Sequence, residues 1–167
     1  NIMYNDFVFV GPKSDPAGIA AARTAQEALR KIADAEAVFV SRGDDSGTHN
    51  RERSLWGAIA ANLDQKNGWY RSVGAGMGAA LNTASGMNAY IMSDRASWLN
   101  FGNKGGLAML YAGDPALFNQ YAYLPVNPLL HRHVKTTQAK NLEAWLTSSR
   151  AKELINNYQI DGEKLFF

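Results

Sequence analysis

Apolar residues recur along the chain with two alternating patterns, which predict strands followed by helices. Residues 2–10 form a nearly continuous run rich in β-formers. Residues 23–36 place apolar side chains such as Leu29 and Ile32 three or four positions apart, as on one face of a helix. Residues 37–40 are again a short apolar run. Together the three segments predict one β–α–β step.

The alternation continues to about residue 112. A helix is predicted from residue 48 onward, with Leu55, Trp56, Ile59 and Leu63 on its apolar face and Arg51, Glu52 and Arg53 on its solvent side. The next strands are expected at 69–73, 89–92 and 107–112, and the next helices at 77–85 and 95–101. After residues 121–128 the pattern changes to consecutive helices. We therefore expect an α/β sheet with helical crossovers, followed by a different packing unit.

Composition narrows the classes of function. The 167 residues are 46% hydrophobic and carry a net charge of +2, with 17 Lys and Arg against 15 Asp and Glu. This charge is too small, and too little clustered, to predict nucleic acid as a partner. No apolar run approaches the ~18 residues of a membrane span. The absence of cysteine excludes disulfides and thiolate metal sites.

The most informative segment is the loop from Ser41 to Thr48, which joins a predicted strand to a predicted helix. Backbone N–H groups at a helix N-terminus attract anions, and the guanidinium of Arg42 offers donors that match an oxyanion. Gly47 in the first turn lets a ligand approach the backbone, although it weakens the helix. The alternative is that Asp45 or Ser46 only caps the helix.

A second glycine-rich segment competes with this loop. Gly74, Gly76 and Ala79 fit the G-x-G-x-x-G/A pattern, and Asp94 follows twenty positions after Gly74, as in a dinucleotide-binding enzyme. However, at least two strand–helix steps precede this segment, whereas a cofactor domain begins with it. A nucleotide-dependent enzyme and a plain interaction module with capped helices remain the alternative functions.

Metal and hydrolytic sites have weaker support. His131 and His133 alternate in an extended segment, but two ligands without a third do not define a metal site. His49 lies near Ser46, but no strained nucleophile elbow is present. We predict neither a metal, nor a cofactor, nor enzymatic activity.

The chain resembles a known family over its whole length. The segments "MYNDFVFVGPKSDPAG", "FVSRGDDSGTHNRE", "GAGMGAALNTAS", "AYIMSDRASWL" and "TTQAKNLEAWLTSSRAKELINNYQIDGEKLFF" are similar, in the same order, to the tungstate-binding receptors of bacterial ABC importers. The loop also resembles, more distantly, the Arg–Ser–Asp–Gly–Ser–Gly–Thr loop of phosphate receptors.

This resemblance implies an α/β fold of the type II periplasmic-binding-protein kind, with two lobes and an anion between them. Residues 11–120 would form one complete lobe carrying the anion loop. Residues 1–10 and 121–167 would supply the crossing strands, in "YNDFVFVG" and "YAYLPVN", and the C-terminal helices of the other lobe. Family members begin with a further strand–helix unit that carries a Thr-Thr-Thr-Ser type stretch, which this sequence lacks. We therefore expect a truncated chain.

Residue by residue, the resemblance assigns anion binding to Arg42, Ser46, Gly47 and Thr48, with Met77 and Gly78 at a second helix start. It implies an extracytoplasmic, periplasmic protein that delivers tungstate or a related oxyanion to an ABC transporter permease. Asp44 and Asp45 are expected to fix Arg42 or cap the helix, because a carboxylate facing a dianion costs energy. A truncated chain is also expected to expose Leu142, Trp145, Leu154 and Ile155 and to self-associate.

Overall fold

The computed structural model describes residues 1–63 and 68–167. It divides into two compact units, which we call the α/β unit (residues 6–118) and the terminal unit (residues 1–5 and 119–167). The chain therefore passes between the units twice, at residues 5–6 and at residues 118–119.

The elements of the α/β unit alternate as the hydrophobic pattern predicts. In chain order they are β1 (Met3–Pro12), α1 (Ala25–Asp34), β2 (Phe39–Ser41), α2 (Gly47–Ala58), β3 (Tyr70–Ser72), α3 (Met77–Met87), β4 (Tyr90–Asp94), α4 (Arg95–Asn100) and β5 (Leu107–Tyr111). Short 3-10 helices lie at Ile19–Ala21, between β1 and α1, and at Pro115–Leu117, after β5. The remaining elements are β6 (Phe118–Tyr121), α5 (Thr136–Leu146), α6 (Ser149–Asn156), β7 (Gln159–Ile160) and β8 (Glu163–Lys164).

The main sheet has the strand order β3-β2-β4-β1-β5, and β6 also pairs with β1. β2 runs parallel to both β3 and β4, whereas β1 runs antiparallel to β4 and β5. The crossover from β3 to β4 passes over β2, which lies between them. The predicted α/β sheet with helical crossovers is confirmed.

Helices cover both faces of this sheet. Phe7 and Phe9 of β1 point into a core with α1 and α2, whereas Val8 and Val10 point into a second core with α3 and α4. A strand buried on both faces has no solvent side, so its sequence is continuously apolar instead of alternating. This arrangement explains the uninterrupted apolar run at 7–10 of β1.

The terminal unit combines two helices with a short hairpin. Asp161 and Gly162 form the turn between β7 and β8, with positive φ angles of 51° and 81° that suit an Asp-Gly hairpin turn. Ala151 of α6 and Leu165 are buried. The apolar faces of α5 and α6 are exposed as predicted at three positions, Leu142 (48%), Trp145 (52%) and Leu154 (47%), whereas Ile155 is half-buried.

Two predicted elements have different bounds in the structure. Of residues 121–127, expected as the second crossing strand, only Tyr121 belongs to a strand, β6. Polar Asn119 and Gln120 hide this strand from the apolar pattern. The helix predicted from residue 48 to Leu63 ends at Ala58, and Leu63 lies outside it.

Within the described ranges, no helix combines the length and apolarity needed to cross a membrane.

Candidate anion-binding site

The carboxyl ends of the three parallel strands meet at one edge of the sheet. β2, β3 and β4 end at this edge, and α2, α3 and α4 begin there. After β2 the chain continues through α2 towards β3, whereas after β4 it continues through α4 towards β5 on the other side. The chain therefore moves across the sheet in opposite directions after β2 and after β4, and the switch point lies between these two strands. Ligands of open α/β sheets bind at such a switch point.

The loop between β2 and α2 is shaped by backbone conformation. Gly43 has a φ of 61°, and a Cβ there would overlap the side chain of Ser72 at the end of β3. Only glycine avoids both the strain and the overlap. The amide of Ala75 donates to the carbonyl of Arg42 at 3.0 Å. The loop after β3 is therefore tied to the loop after β2, and both hold a fixed position at the sheet edge.

Arg42 is held by Asp44. Its Nε and Nη2 both donate to Asp44 Oδ2, at 3.1 and 2.6 Å, and its Nη1 lies 3.5 Å from Thr48 Oγ1. A hydrogen bond with Ser46, followed by the bonds from Arg42, lowers the pKa of Asp44 to about 2. Asp44 is therefore ionised near neutral pH. The expectation that it fixes Arg42 is confirmed, and the side chain of Asp45 is 90% exposed.

The start of α2 brings three of the predicted site residues together. Ser46 is the N-cap, and its Oγ accepts from the amide of His49 at 3.3 Å. Gly47 follows with open space around its Cα, and Thr48 is 9% exposed. The amides of Gly47 and Thr48 donate to no other group in the described part of the chain. They are therefore available to a ligand.

The second predicted helix start has a similar form with fewer side chains. α3 begins at Met77 after Gly76, which provides no side-chain cap. The Met77 side chain is 8% exposed and packs in the core with α4, so only its backbone N–H faces the loop end of the helix. Gly78 has open space where a Cβ would stand. Here the chain offers backbone donors alone.

Glu52 lies beneath the loop, and its predicted place on the solvent side of α2 is wrong. It is 2% exposed, and its Oε2 and Oε1 accept from Ser41 Oγ and Tyr70 Oη, each at 2.8 Å. Burial raises the pKa of Glu52 to about 7, against the opposing effect of these hydrogen bonds. The sequence contained the signal, because Glu52 precedes Leu55 and Trp56 by three and four positions and so shares their face.

A cavity of about 250 Å³ lies beside this buried carboxyl. Its lining residues come from the loop, α2 and β3 and the segment after α2: Gly43, His49, Arg53, Leu63, Tyr70 and Ser72. His49 Nδ1 accepts from the amide of Asp45 at 3.0 Å. Tyr70 therefore both donates a hydrogen bond to the buried Glu52 and lines this cavity.

The dinucleotide alternative does not fit the topology. In a dinucleotide fold the glycine-rich turn and the acidic residue end neighbouring strands. Here Gly74 follows the edge strand β3, Asp94 ends β4, and β2 separates the two strands. Asp94 Oδ2 instead accepts from the amide of Ser97 at 2.8 Å and caps α4.

Metal ligands are not assembled within the residues that the structure describes. No group of three His, Asp or Glu side chains suited to a metal ion occurs there. His131 and His133 are exposed, with ring centroids 6.2 Å apart.

Comparison with known proteins agrees with this architecture. Residues 1–150 match the family described as PBP superfamily domain. The tungstate-binding protein TupA of Peptoclostridium acidaminophilum is 39% identical over 95% of this chain and 55% of its own length. The solved structure of the tungstate-binding protein TupA from Desulfovibrio alaskensis G20 is 41% identical, with a TM-score of 0.89 over 98% of this chain and 67% of that one. That of the tungstate ABC transporter from Geobacter sulfurreducens is 42% identical, with a TM-score of 0.80 over 94% and 66%. The chain spans about half the length of the curated relatives it matches.

Proposed function

The chain belongs to the PBP superfamily, and we propose that it acts in the capture of a tetrahedral oxyanion, tungstate first, for an ABC importer. One observation carries the proposal: Arg42 is fixed by Asp44 beside the start of α2, where the amides of Gly47 and Thr48 have no partner among the described residues. Relatives and solved structures named as tungstate-binding proteins support the choice of anion.

Binding in this proposal uses donors only and breaks no bond. Arg42 supplies positive charge through its Nη1 side, because Nε and one Nη2 hydrogen are committed to Asp44. Gly47 and Thr48 supply backbone N–H groups at the positive end of the α2 dipole. Ser46 would keep its capping role, because its oxygen goes on accepting from the His49 amide while its single hydroxyl proton turns from Asp44 to the anion. The hydroxyl of Thr48 is a further donor.

The second helix start completes the set of donors. Met77 and Gly78 would contribute N–H groups from α3, whose loop is tied to Arg42 through Ala75. Four backbone amides, two hydroxyls and one guanidinium suit an anion that is fully deprotonated near neutral pH. A protonated phosphate also benefits from an acceptor, and the loop carboxylate of Asp44 is occupied by Arg42.

The proposal extends to partner and location. A receptor of this kind works outside the cytoplasm and passes its anion to the permease of an ABC transporter. Tungstate is bound as cargo, and the chain has no catalytic role.

Isothermal titration with tungstate, molybdate, sulfate, phosphate and NAD tests the proposal in one series. We expect saturable one-to-one binding of tungstate, weaker or no binding of phosphate, and no binding of NAD. Binding of NAD without any response to the oxyanions would overturn the proposal in favour of a nucleotide-dependent enzyme. No response to any of the five ligands would favour an interaction module.

A further inference from the structure

The buried carboxyl of Glu52 connects the two ends of the anion loop. Ser41, which donates to it, is the residue before Arg42. Thr48 precedes Glu52 by four residues, so the two lie one above the other on the same face of α2. The carboxyl therefore lies directly behind the donors that are proposed to hold the anion. No described residue forms an ion pair with it.

The groups around Glu52 come from several elements. β2 contributes Ser41 and β3 contributes Tyr70, which donate hydrogen bonds. On α2 itself, the charge of Arg53 and the indole of Trp56 favour the ionised carboxyl, although the Trp56 N–H makes no hydrogen bond to a described residue. His49 of α2 lines the adjacent cavity.

Among the residues that the structure describes, the other neighbours of α2 form no ion pair with this cluster. α1 faces α2 with apolar residues, among them Ala28 and Leu29. Tyr90 of β4 belongs to the same core, but its hydroxyl donates to Asp15 at 2.9 Å and not to Glu52. Within the described part of the chain, Arg53 thus acts on Glu52 at a distance, and no ion pair neutralises the carboxyl beside the place proposed for the dianion.

We propose that Glu52 is a proton-linked positioning residue of the anion loop, and that capture of a dianion is accompanied by uptake of a proton on its carboxyl. The inference rests on the proposed function. It follows from geometry and Coulomb's law, because two negative charges on either side of one helix turn repel each other strongly where water is excluded. A neutral Glu52 removes that repulsion and still holds the strand end through hydrogen bonds.

The cluster has room to accept the proton. When Glu52 is ionised, Tyr70 donates its O–H to Oε1. When a proton is added at Oε1, the new O–H donates to the Tyr70 oxygen, and the tyrosine hydroxyl rotates so that its own proton no longer points at Oε1. Ser41 continues to donate to Oε2. No other group needs to change protonation.

The pKa sets the range in which the linkage is seen. With a pKa of about 7, Glu52 is about half ionised at pH 7 before the anion binds. Binding that raises this pKa further takes up as much as about half a proton at pH 7, and more at pH 8. Affinity for the dianion therefore falls as the pH rises, by up to about tenfold between pH 6 and pH 8.

The test is isothermal titration of the full chain with sodium tungstate at pH 7, in buffers that differ in ionisation enthalpy. The dependence of the measured heat on buffer gives the number of protons taken up. Glu52→Gln keeps the size of the side chain and removes the titrating group. Glu36→Gln is the matched control, because it removes an exposed carboxyl. His49→Asn keeps an acceptor for the Asp45 amide while removing the imidazole that lies next to the loop.

We expect proton uptake in the parent, in Glu36→Gln and in His49→Asn, and none in Glu52→Gln, whose affinity should not change with pH. Uptake lost in His49→Asn and retained in Glu52→Gln would assign the proton to His49 and overturn the inference. If Glu52→Gln does not fold, Tyr70→Phe provides the test. This variant removes a hydrogen-bond donor to the carboxylate, which raises the pKa of Glu52 and should move the pH range of proton uptake upward. Tungstate binding without proton uptake in the parent would refute the inference alone, whereas absence of tungstate binding would refute the proposed function as well.

Discussion

Replacing Arg42 by alanine tests the anion loop most specifically. The structure commits Nε and one Nη2 hydrogen to Asp44, which leaves the Nη1 side for a ligand. The variant therefore removes one charge-assisted contact, worth about 1.5–3 kcal/mol. It also leaves the ionised Asp44 without its cation beside the anion, which adds to the loss.

In affinity, the lost contact corresponds to a decrease of about 10- to 150-fold. The assay pairs titration with tungstate and thermal melting without ligand. Melting should change much less than affinity, because Asp44 Oδ1 keeps its hydrogen bond from the Ser46 amide, at 3.2 Å, when the guanidinium is removed. Arg30→Ala, which removes an exposed arginine of α1, is the matched control and should bind as the parent does. An Arg42→Ala protein with parental affinity would refute the assignment of this loop as the site.

Three further results are expected. Gly43→Ala should lower both the melting temperature and the affinity for tungstate, since its Cβ would overlap Ser72 at a positive φ, and unchanged values would contradict the loop geometry. In ligand-free melts, the free energy of unfolding of the parent should fall as the pH rises from 4.5 to 7, because Glu52 stays protonated in the folded state and ionises in the unfolded state. Glu52→Gln should remove this fall, which is of order 3 kcal/mol. The same pH profile in parent and variant would contradict the raised pKa of Glu52. Trp145→Lys should reduce self-association seen by sedimentation velocity, whereas a monomeric parent would contradict the role of that exposed face.

Three strands of the α/β unit were predictable because their burial is nearly complete, and its helices because their buried residues recur at helical spacing. β1, β2 and β4 are covered on both faces, so their apolar runs stand out from the turns around them. β6 was not predictable in this way, since it contains Asn119 and Gln120 and is mostly exposed. The apolar pattern also did not predict that α2 ends at Ala58. Apolar residues continue at Ile59 after the backbone has left the helix.

The site was predictable only in part, for a physical reason. Loop glycines and a capping serine mark the backbone turn at Gly43 and the start of α2, and both features stand in the sequence. Whether Arg42 faces solvent or Asp44 depends on a contact that no spacing rule gives. Glu52 was predicted to be exposed because it is charged, although its spacing from Leu55 and Trp56 indicates the buried face. Burial of the carboxyl is tolerable because the hydroxyls of Ser41 and Tyr70 donate hydrogen bonds to it.

The most direct measurement of the central claim is the anomalous X-ray signal of tungsten in crystals of the chain grown with tungstate. The account predicts one dominant peak within hydrogen-bonding reach, through its oxygens, of the Gly47 and Thr48 amides and of Arg42. A dominant peak elsewhere on the molecule, with the loop of residues 42–48 empty, would contradict it.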